Sequence, residues 1–311
     1  MPADVLFVMK HRCAVLAIVG RPNVGKSTLL NSLVGSRVSI TSRRPQTTRH
    51  RVTGIFSRPS LQLVFVDTPG IQDQHATALN RQLNKTAIAA LADVDAVLWV
   101  IDAASLTAQD EAILRQIPSG LAAIAVLNKT DLITDENRRK KAYATGDRLA
   151  AMNRFTAVVP VSAQSGFQLE ALISEIEKIA PEGPPMFSDD QVSDRSVRFM
   201  SGEIIREKIF RLTGDELPYE TTVLTESFRE EPSRNDASRL HTHIVASIVV
   251  AKESQKAIVI GEKGQRIRRI GTEARQEISR LLGGPVTLEL WVKVRRGWAD
   301  DKAAIRAFGY E

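Results

Sequence analysis

Apolar positions along this chain follow one rhythm up to about residue 180 and another after residue 194. In the first stretch, short unbroken apolar runs alternate with longer mixed ones. CAVLAIV at 13–19, DAVLWVID at 95–102, LAAIAVLN at 121–128 and FTAVVPVS at 155–162 have strand length and no polar face. Such runs read as buried strands. Residues 51–57 and 61–67 flank SRPS and predict a strand pair joined by a turn. Helices are expected from the glycine-rich loop at 20–27 to Val34, over 77–92, over 107–117, through a polar stretch ending near Met152, and over 166–179. Strands alternating with helices at this spacing predict an α/β domain whose mostly parallel sheet is covered on both faces.

The rhythm breaks at APEGPPMFSDDQVSD, 180–194, where three prolines, a glycine and several acids predict an exposed linker. Beyond it the order changes to a helix over 195–213, strands over 219–229 and 241–252, a Gly-x-x-Gly turn, a helix over 264–282 and a last strand, VTLELWVKV. That strand alternates: Val286, Leu288, Leu290, Val292 and Val294 fall on one face, and Thr287, Glu289, Trp291 and Lys293 on the other. In the preceding helix Ile267, Ile270, Ala274, Ile278 and Leu281 recur at spacings of three and four and are expected to face the core. The chain thus divides into a flexible leader (1–12), a first domain (13–180), a linker (181–194) and a smaller α+β domain (195–311). The leader could equally mean that translation begins at Met9.

Composition narrows the setting. The chain has 311 residues, 43% of them apolar, enough for a core in each of two domains. Its single cysteine, Cys13, excludes an internal disulfide, fits a reducing cytoplasmic setting and reads as a small apolar strand residue. No apolar run approaches the ~20 residues that cross a bilayer. The net charge of +6 is concentrated in local clusters: Arg43 to Arg51, Arg138 to Lys141, Lys263 to Arg269 and Lys293 to Arg296. It permits an anionic partner, and solvated helix faces account for some of it. The 138–141 run is most simply such a face.

GRPNVGKS at 20–27 fits G-x-x-x-x-G-K-[ST] and sits between a strand and a helix, as a phosphate loop must. Gly20, Arg21, Pro22, Asn23, Val24, Gly25, Lys26, Ser27 and Thr28 form the candidate cradle. Backbone N–H groups and the positive helix end can wrap the β-phosphate, and Lys26 can reach the β- and γ-phosphates. The Ser27 hydroxyl can ligate Mg²⁺. VFVDTPG at 64–70 ends a strand with Asp67, a candidate Mg²⁺ partner through water, followed by Thr68, Pro69 and Gly70, whose N–H can meet a γ-phosphate. LNKTD at 127–131 supplies Asn128, Lys129 and Asp131. A carboxylate there accepts from guanine's ring N–H and exocyclic amine and repels adenine. Ser162 and Ala163 would complete the base pocket. The polar segment 36–50 is placed where a switch loop lies; Thr48 is the expected second Mg²⁺ hydroxyl, with Thr47 the alternative.

VIGEKG at 259–264 lacks the spacing and the GK[ST] ending of a nucleotide loop. A Gly-x-x-Gly turn between two helices and followed by a strand is the signature of a type II KH module, which clamps about four nucleotides by their backbone. Gly261 and Gly264 would let RNA approach. Glu262 and Lys263 form the turn, Lys263, Arg266 and Arg269 would meet phosphates, and Ile260 and Ile267 would wall the groove. Glu262 weakens the turn's charge relative to two lysines. Lys293 and Arg295 would extend the contact, and Trp291 on the same strand would either stack a base or pack on a neighbouring domain.

The order GRPNVGKS, QTTRH, DTPG, NKTD, VSA resembles the TrmE–Era class of GTPases, and DRSVRFMSGEIIREKI, ELPYE, SQKAIVIGEKGQRIRRIG and LELWVKVRRGWADD make nearly the whole chain similar to the Era family. The resemblance implies a GTPase domain followed by a KH domain, GTP/GDP and Mg²⁺ as ligands, 16S ribosomal RNA near its 3′ end and the 30S subunit as partners, and a monomer that also associates peripherally with the inner membrane. A membrane-linked cell-cycle switch and a passive RNA chaperone with a structural GTP site are the alternatives. Where Ras-like proteins place a water-orienting glutamine, this chain has Ile71, followed by Gln72 and Asp73, so slow intrinsic hydrolysis is expected. Catalysis then rests on Lys26, Thr48, Asp67 and Gly70, and on Asn23, which matches the position that helps bind an activating K⁺ in related GTPases or else only shapes the loop.

Overall fold

A computed structural model describes residues 11–42, 47–71, 77–213, 217, 220–233 and 239–310. Residues 1–10 of the leader, Arg43, Arg44, Gln72 and Asp73 lie outside these residues, as does part of ELPYE, whereas Arg12, expected in the leader, opens the first strand. The chain forms two compact units. One comprises the residues up to Val38, Arg51–Ile71 and Thr86–Asp194; the other comprises Ser39–His50, Gln72–Lys85 and Arg195–Glu311.

In the first unit six strands are ordered β2-β3-β1-β4-β5-β6: β1 (Arg12–Val19), β2 (Val52–Arg58), β3 (Leu61–Asp67), β4 (Ala96–Asp102), β5 (Ala122–Asn128) and β6 (Ala157–Pro160). All neighbours are parallel except β2, which pairs antiparallel with β3 as the SRPS turn requires. The unbroken apolar runs are buried as expected; Leu16, Ile18, Phe65, Leu98, Trp99 and Val126 have essentially no exposed surface. Trp99 stacks on Phe155 at 5.4 Å between ring centroids. Cys13 is buried in β1, and burial raises its thiol pKa. The helices are α1 (Lys26–Val34), α2 (Ala78–Ala89), α3 (Ala108–Leu114), α4 (Glu136–Ala151) and α5 (Leu169–Ile179). Each nucleotide motif begins at the carboxyl end of a parallel strand, where the chain must turn and its backbone groups are free for a ligand.

The 181–194 stretch exposes most of its side chains, but its backbone is not loose. Cys13 N–H donates to Pro181 O at 3.0 Å, and Ile55 N–H to Val192 O at 3.0 Å. The fully buried Gln62 accepts from the N–H groups of Met186 (2.7 Å) and Phe187 (2.9 Å) and donates to Phe187 O (2.9 Å). A single buried amide thus satisfies three groups of the strap at once. Buried amides are costly unless paired in this way.

The second unit adds α6 (Val197–Thr213), β7 (Thr221–Pro232), β8 (Leu240–Val250), α7 (Glu253–Ile260), α8 (Gln265–Leu282), β9 (Val286–Val294) and α9 (Lys302–Ala307). The sheet order is β7-β8-β9, antiparallel then parallel, and the helix–strand–strand–helix–helix–strand order is the one expected. The helix-side core holds Ile205, Ile209, Ile248, Ile270, Ala274 and Ile278. One expectation fails: Leu281 is 40% exposed, and Leu282, four residues after Ile278, packs on the core instead. At that turn the i+4 position faces the sheet. A second core, on the other face of the strands at Val249, gathers Trp298, Ile305, Tyr310, Leu79 and Leu83. The short α9 was not anticipated; its only local signal is Asp301, whose carboxylate accepts from Ala303 N–H at 2.9 Å as an N-cap.

Residues 47–50 and 77–85 group with the second unit, whereas the expected division placed all of 13–180 in the first domain. That grouping comes from packing that no local pattern signals. Leu79 and Leu83 are apolar residues of an ordinary amphipathic helix, and only the tertiary fold sends them to the core around Trp298.

Candidate nucleotide site and RNA clamp

The phosphate loop is built by close approach. Gly20 has φ +155°, and a Cβ there would stand 2.3 Å from the carbonyl oxygen of Val100. Gly25 has φ +99°, and its Cβ would stand 2.3 Å from Asn128 Nδ2. Only glycine fits either place without moving the neighbouring strand ends. Asn23 takes the left-handed conformation (φ +64°), and its side chain makes no hydrogen bond among the described residues. It is therefore both a turn former and an uncommitted oxygen donor.

Lys26 opens α1 and is buried. Its ammonium donates to Gly20 O and Arg21 O, both at 2.9 Å. Burial lowers its pKa to about 8, against the opposing pull of Asp67. Ser27 Oγ donates to Asp67 Oδ2 at 2.7 Å, so the two expected metal partners from distant segments are together. A hydroxyl and a carboxylate at this separation are hard oxygen donors and fit Mg²⁺. Thr68 Oγ1 donates to Ile18 O at 3.0 Å and pins the start of the DTPG turn. A Cβ on Gly70 would meet Pro22 N at 3.1 Å and Lys26 Nζ at 3.2 Å, which places Gly70 against the phosphate loop.

The base side is equally connected. The buried Asn128 donates through Nδ2 to Val24 O at 2.8 Å and accepts at Oδ1 from Ala163 N–H at 2.9 Å. It braces three loops, and the N–H of Ala163, a residue expected in the base pocket, is here occupied by Asn128. Ser162 Oγ donates to Asp131 Oδ1 at 2.6 Å and orients the carboxylate that would read the base. Lys129 (φ +67°) pairs with Asp102 at 3.1 Å. Sequence reasoning missed Asp102, and also Asp110, which takes a fork of hydrogen bonds from Arg21 Nε at 3.1 and 3.0 Å. Asp110 also closes the capping box of α3 with Thr107, a T-x-x-D pattern that could have been found.

Thr48 is not among the residues that the first unit brings together. It is buried within the second unit between two anchored neighbours. Thr47 O accepts from Arg206 Nη2 of α6. Arg49 Nη1 donates to Thr221 O at 2.8 Å and lies over the rings of Phe210 (5.6 Å) and Tyr310 (6.0 Å). His50 stacks on Tyr310 at 4.7 Å and meets Phe199 edge-on at 5.1 Å. Arg206 is fully buried and pairs with Glu203 at 2.5 and 2.8 Å. Burial alone would push the Glu203 carboxyl up, yet Arg206 holds it below the usual range. None of these partners has a sequence signal of its own.

At the clamp, Gly261 (φ +71°) and Gly264 (φ +76°) frame Lys263, itself left-handed at φ 48°. A Cβ on Gly261 would stand 2.6 Å from the Cβ of Arg266. Lys263 is exposed and makes no ion pair among the described residues. Arg266 instead folds back, Nη1 donating to Ile258 O at 2.7 Å at the end of α7. Arg269 pairs with Glu273 at 2.8 Å. Lys293 and Arg295 are paired with Glu226 and Asp301. Ile260 and Ile267 are half-buried beside the turn.

Comparison with known proteins agrees with both halves. Residues 15–129 match the family model of a 50S ribosome-binding GTPase, and residues 217–299 match that of a KH domain. GTPase Era of Bordetella avium (strain 197N) is 47% identical over 300 residues, covering 96% of this chain and 98% of the relative. The chain belongs to the GTPase Era family. The Pseudomonas fluorescens member is 47% identical over 301 residues, covering 96% of this chain and 97% of the relative. Two solved Era structures superpose with TM-score 0.89 at 38% identity, covering 96% of this chain and 99% of theirs: an Aquifex aeolicus variant bound to GDP·AlF₄⁻, and a complex with MgGDPNP and nucleotides 1506–1542 of 16S ribosomal RNA. The GTPase fold with its C-terminal KH domain is therefore that of the family. Within it, Ile71 is buried in the core beside Trp99, and only its carbonyl is used, accepting from Gln109 at 3.3 Å. No side chain at that position can orient water.

The lowered pKa of Lys26 gives a pH signature. A triphosphate beside the ammonium favours its charged form and raises its pKa above about 8. Nucleotide binding should then take up protons above pH 8 and few at pH 7, and affinity should fall by up to about tenfold per unit as pH rises past 8. Titration calorimetry in buffers of different ionisation enthalpy reads the uptake directly. Equal apparent enthalpies at pH 8.5 would show that Lys26 does not face the phosphates.

Proposed function

We propose that this protein is a GTP-hydrolysing switch that binds single-stranded RNA near the 3′ end of 16S ribosomal RNA and assists maturation of the 30S subunit, acting as a cytoplasmic monomer. The observation that carries the switch is the packing of residues 47–50 within the unit that bears the Gly-x-x-Gly turn. Ser27 and Asp67 would hold Mg²⁺, which supplies charge to stabilise the transferring phosphoryl group. Thr48, between the neighbours that Arg206 and Arg49 anchor in the second unit, would supply the second Mg²⁺ hydroxyl. GTP would thus shift the population of the second unit's states. Lys26, Gly70 and the loop amides position the phosphates, Asp131 and Ser162 select guanine, and Asn23 offers an oxygen to K⁺. Contact with the inner membrane would be peripheral: no helix among the described residues is long and apolar enough to cross a bilayer.

The test is GTP turnover in KCl and in NaCl, with and without an RNA of the 1506–1542 sequence, for the wild type and Gly264→Asp. A Cβ at Gly264 meets nothing within 4 Å, and the left-handed backbone there (φ +76°) costs an aspartate roughly 1 kcal/mol, so this variant should fold with a small loss of stability and lose the close approach of RNA. RNA should raise wild-type turnover severalfold, more in K⁺, and leave Gly264→Asp unchanged. Undiminished RNA affinity in Gly264→Asp would sink the clamp. Turnover indifferent to RNA would sink the coupling, and turnover equal in the two salts would sink the K⁺ site.

A further inference from the structure

The alternation of β9 puts Trp291 on the face of the sheet opposite α7 and α8. It is 59% exposed, while the other two tryptophans, Trp99 and Trp298, have no exposed surface. Directly across the ladder stands Ser247, too small to cover an indole. The Ser247 hydroxyl is turned to Glu226 at 2.6 Å, and Glu226 also holds Lys293 at 2.5 Å. Four residues back along β8 on the same face, His243 stacks with His241 at 4.3 Å. At about 3.3 Å per residue this second aromatic plane lies roughly 13 Å from the position opposite Trp291, a span of about two nucleotides. The second unit's other-face core gathers at Val249 and Leu224; farther along this face Ser247 is buried, while Val245 and His243 are half-buried and Trp291 is exposed.

We infer that this outer face is a second RNA-contact surface, on which Trp291 stacks a base adjacent to the nucleotides clamped at the Gly-x-x-Gly turn. The inference rests on the RNA reading above and extends it to a face that the clamp does not use. Three observations favour RNA over a protein partner. First, β9 is an edge strand, paired with β8 alone. Its inner side is packed on α8, where a Cβ on Gly271 would touch Leu290 at 3.5 Å. A strand held at the turn reaches the outer face by crossing one free edge. Second, Trp291 stands between Glu289 and Lys293 rather than in an apolar field. A stable protein interface needs roughly 800 Å² per partner, but a base needs only one ring face. Third, the same strand runs into cations at its end. Arg295 is 45% exposed, and Arg296 is exposed with no ion pair among the described residues.

Because the other tryptophans are buried, acrylamide quenching of intrinsic fluorescence reports Trp291 in the full chain. Saturating RNA of the 1506–1542 sequence should shield it from acrylamide. Trp291→Ala should weaken that RNA's binding about tenfold, within the range of roughly 5- to 150-fold expected for one stacked base, and Trp291→Phe should stay within about threefold of wild type. Unchanged quenching with RNA bound overturns the inference without using any variant, as does an Ala variant that binds like wild type. If the indole is shielded by 30S subunits but not by RNA, the face belongs to a protein and the inference is wrong. Gly264→Asp keeps the readings apart: if that variant alone loses RNA while Trp291 is unaffected, the clamp stands and the stacking surface falls.

Discussion

Replacing Lys26 by alanine should lower GTP turnover about 10²- to 10³-fold without weakening the fold. The loss follows from removing a preorganised cation from a site where charge moves between phosphate oxygens. The stability follows from the cost of burying that cation. Burial lowers the Lys26 pKa to about 8, so the folded protein holds the charged form at a disadvantage at neutral pH. Its two partners are the carbonyls of Gly20 and Arg21, which a water in the emptied space can satisfy. Steady-state turnover and a thermal melt on the same preparation test both halves. Turnover within threefold of wild type would remove Lys26 from the phosphate site. A fall in melting temperature of more than a few degrees would show that its role is structural.

The largest stability effect is expected at Arg206. Its guanidinium, with no exposed surface of its own, joins the buried Glu203, the Thr47 carbonyl and the Phe210 ring, 5.2 Å away. Arg206→Ala leaves the Glu203 carboxylate buried and unpaired, which should cost about 3–5 kcal/mol and lower the second unit's melting temperature by roughly 10 °C. Removing both charges in Arg206→Met with Glu203→Leu should recover most of that loss, because apolar replacements of similar volume avoid the desolvation of two ions. The double variant also removes the anchor on Thr47. If that anchor holds Thr48 away from nucleotide, the double variant should bind a GTP analogue with Mg²⁺ severalfold more tightly than wild type, with GDP affinity unchanged. Restored stability with wild-type preference between the two nucleotides would leave Arg206 a structural residue and no more.

The chemistry of the nucleotide site was legible because each motif is local. GRPNVGKS, DTPG, NKTD and VSA each carry their residue types within a few positions, at the end of an apolar run that can only be a buried strand. Their convergence then follows from the parallel topology, and Ser27 meeting Asp67 at 2.7 Å is its result. Ile71 was equally legible as an absence of chemistry. The Gly-x-x-Gly turn was readable for the same reason, since its two glycines need positive φ within four residues.

What escaped depends on partners far away in the chain. Gln62 lies in an otherwise apolar strand, and its reason is a strap more than a hundred residues later. Arg206 and Glu203 look like an ordinary i, i+3 surface pair of a helix, yet both are buried and face Thr47. Leu281 and Leu282 are indistinguishable by composition, and the sheet beneath α8 chooses the second. Arg266, expected at a phosphate, donates to Ile258 O at the end of α7, a partner the sequence did not signal. From the amino-acid order alone came the two folds, the nucleotide-loop motifs at the strand ends and the Gly-x-x-Gly turn, since period, glycine placement and strand-end chemistry act over a few residues. Tertiary structure alone decided that 47–50 and 77–85 pack with the second unit, that Thr48 is held there, and that Trp291 is exposed. Those outcomes depend on which buried surfaces and charges find partners across long loops, and short-range sequence pattern carries no record of that competition.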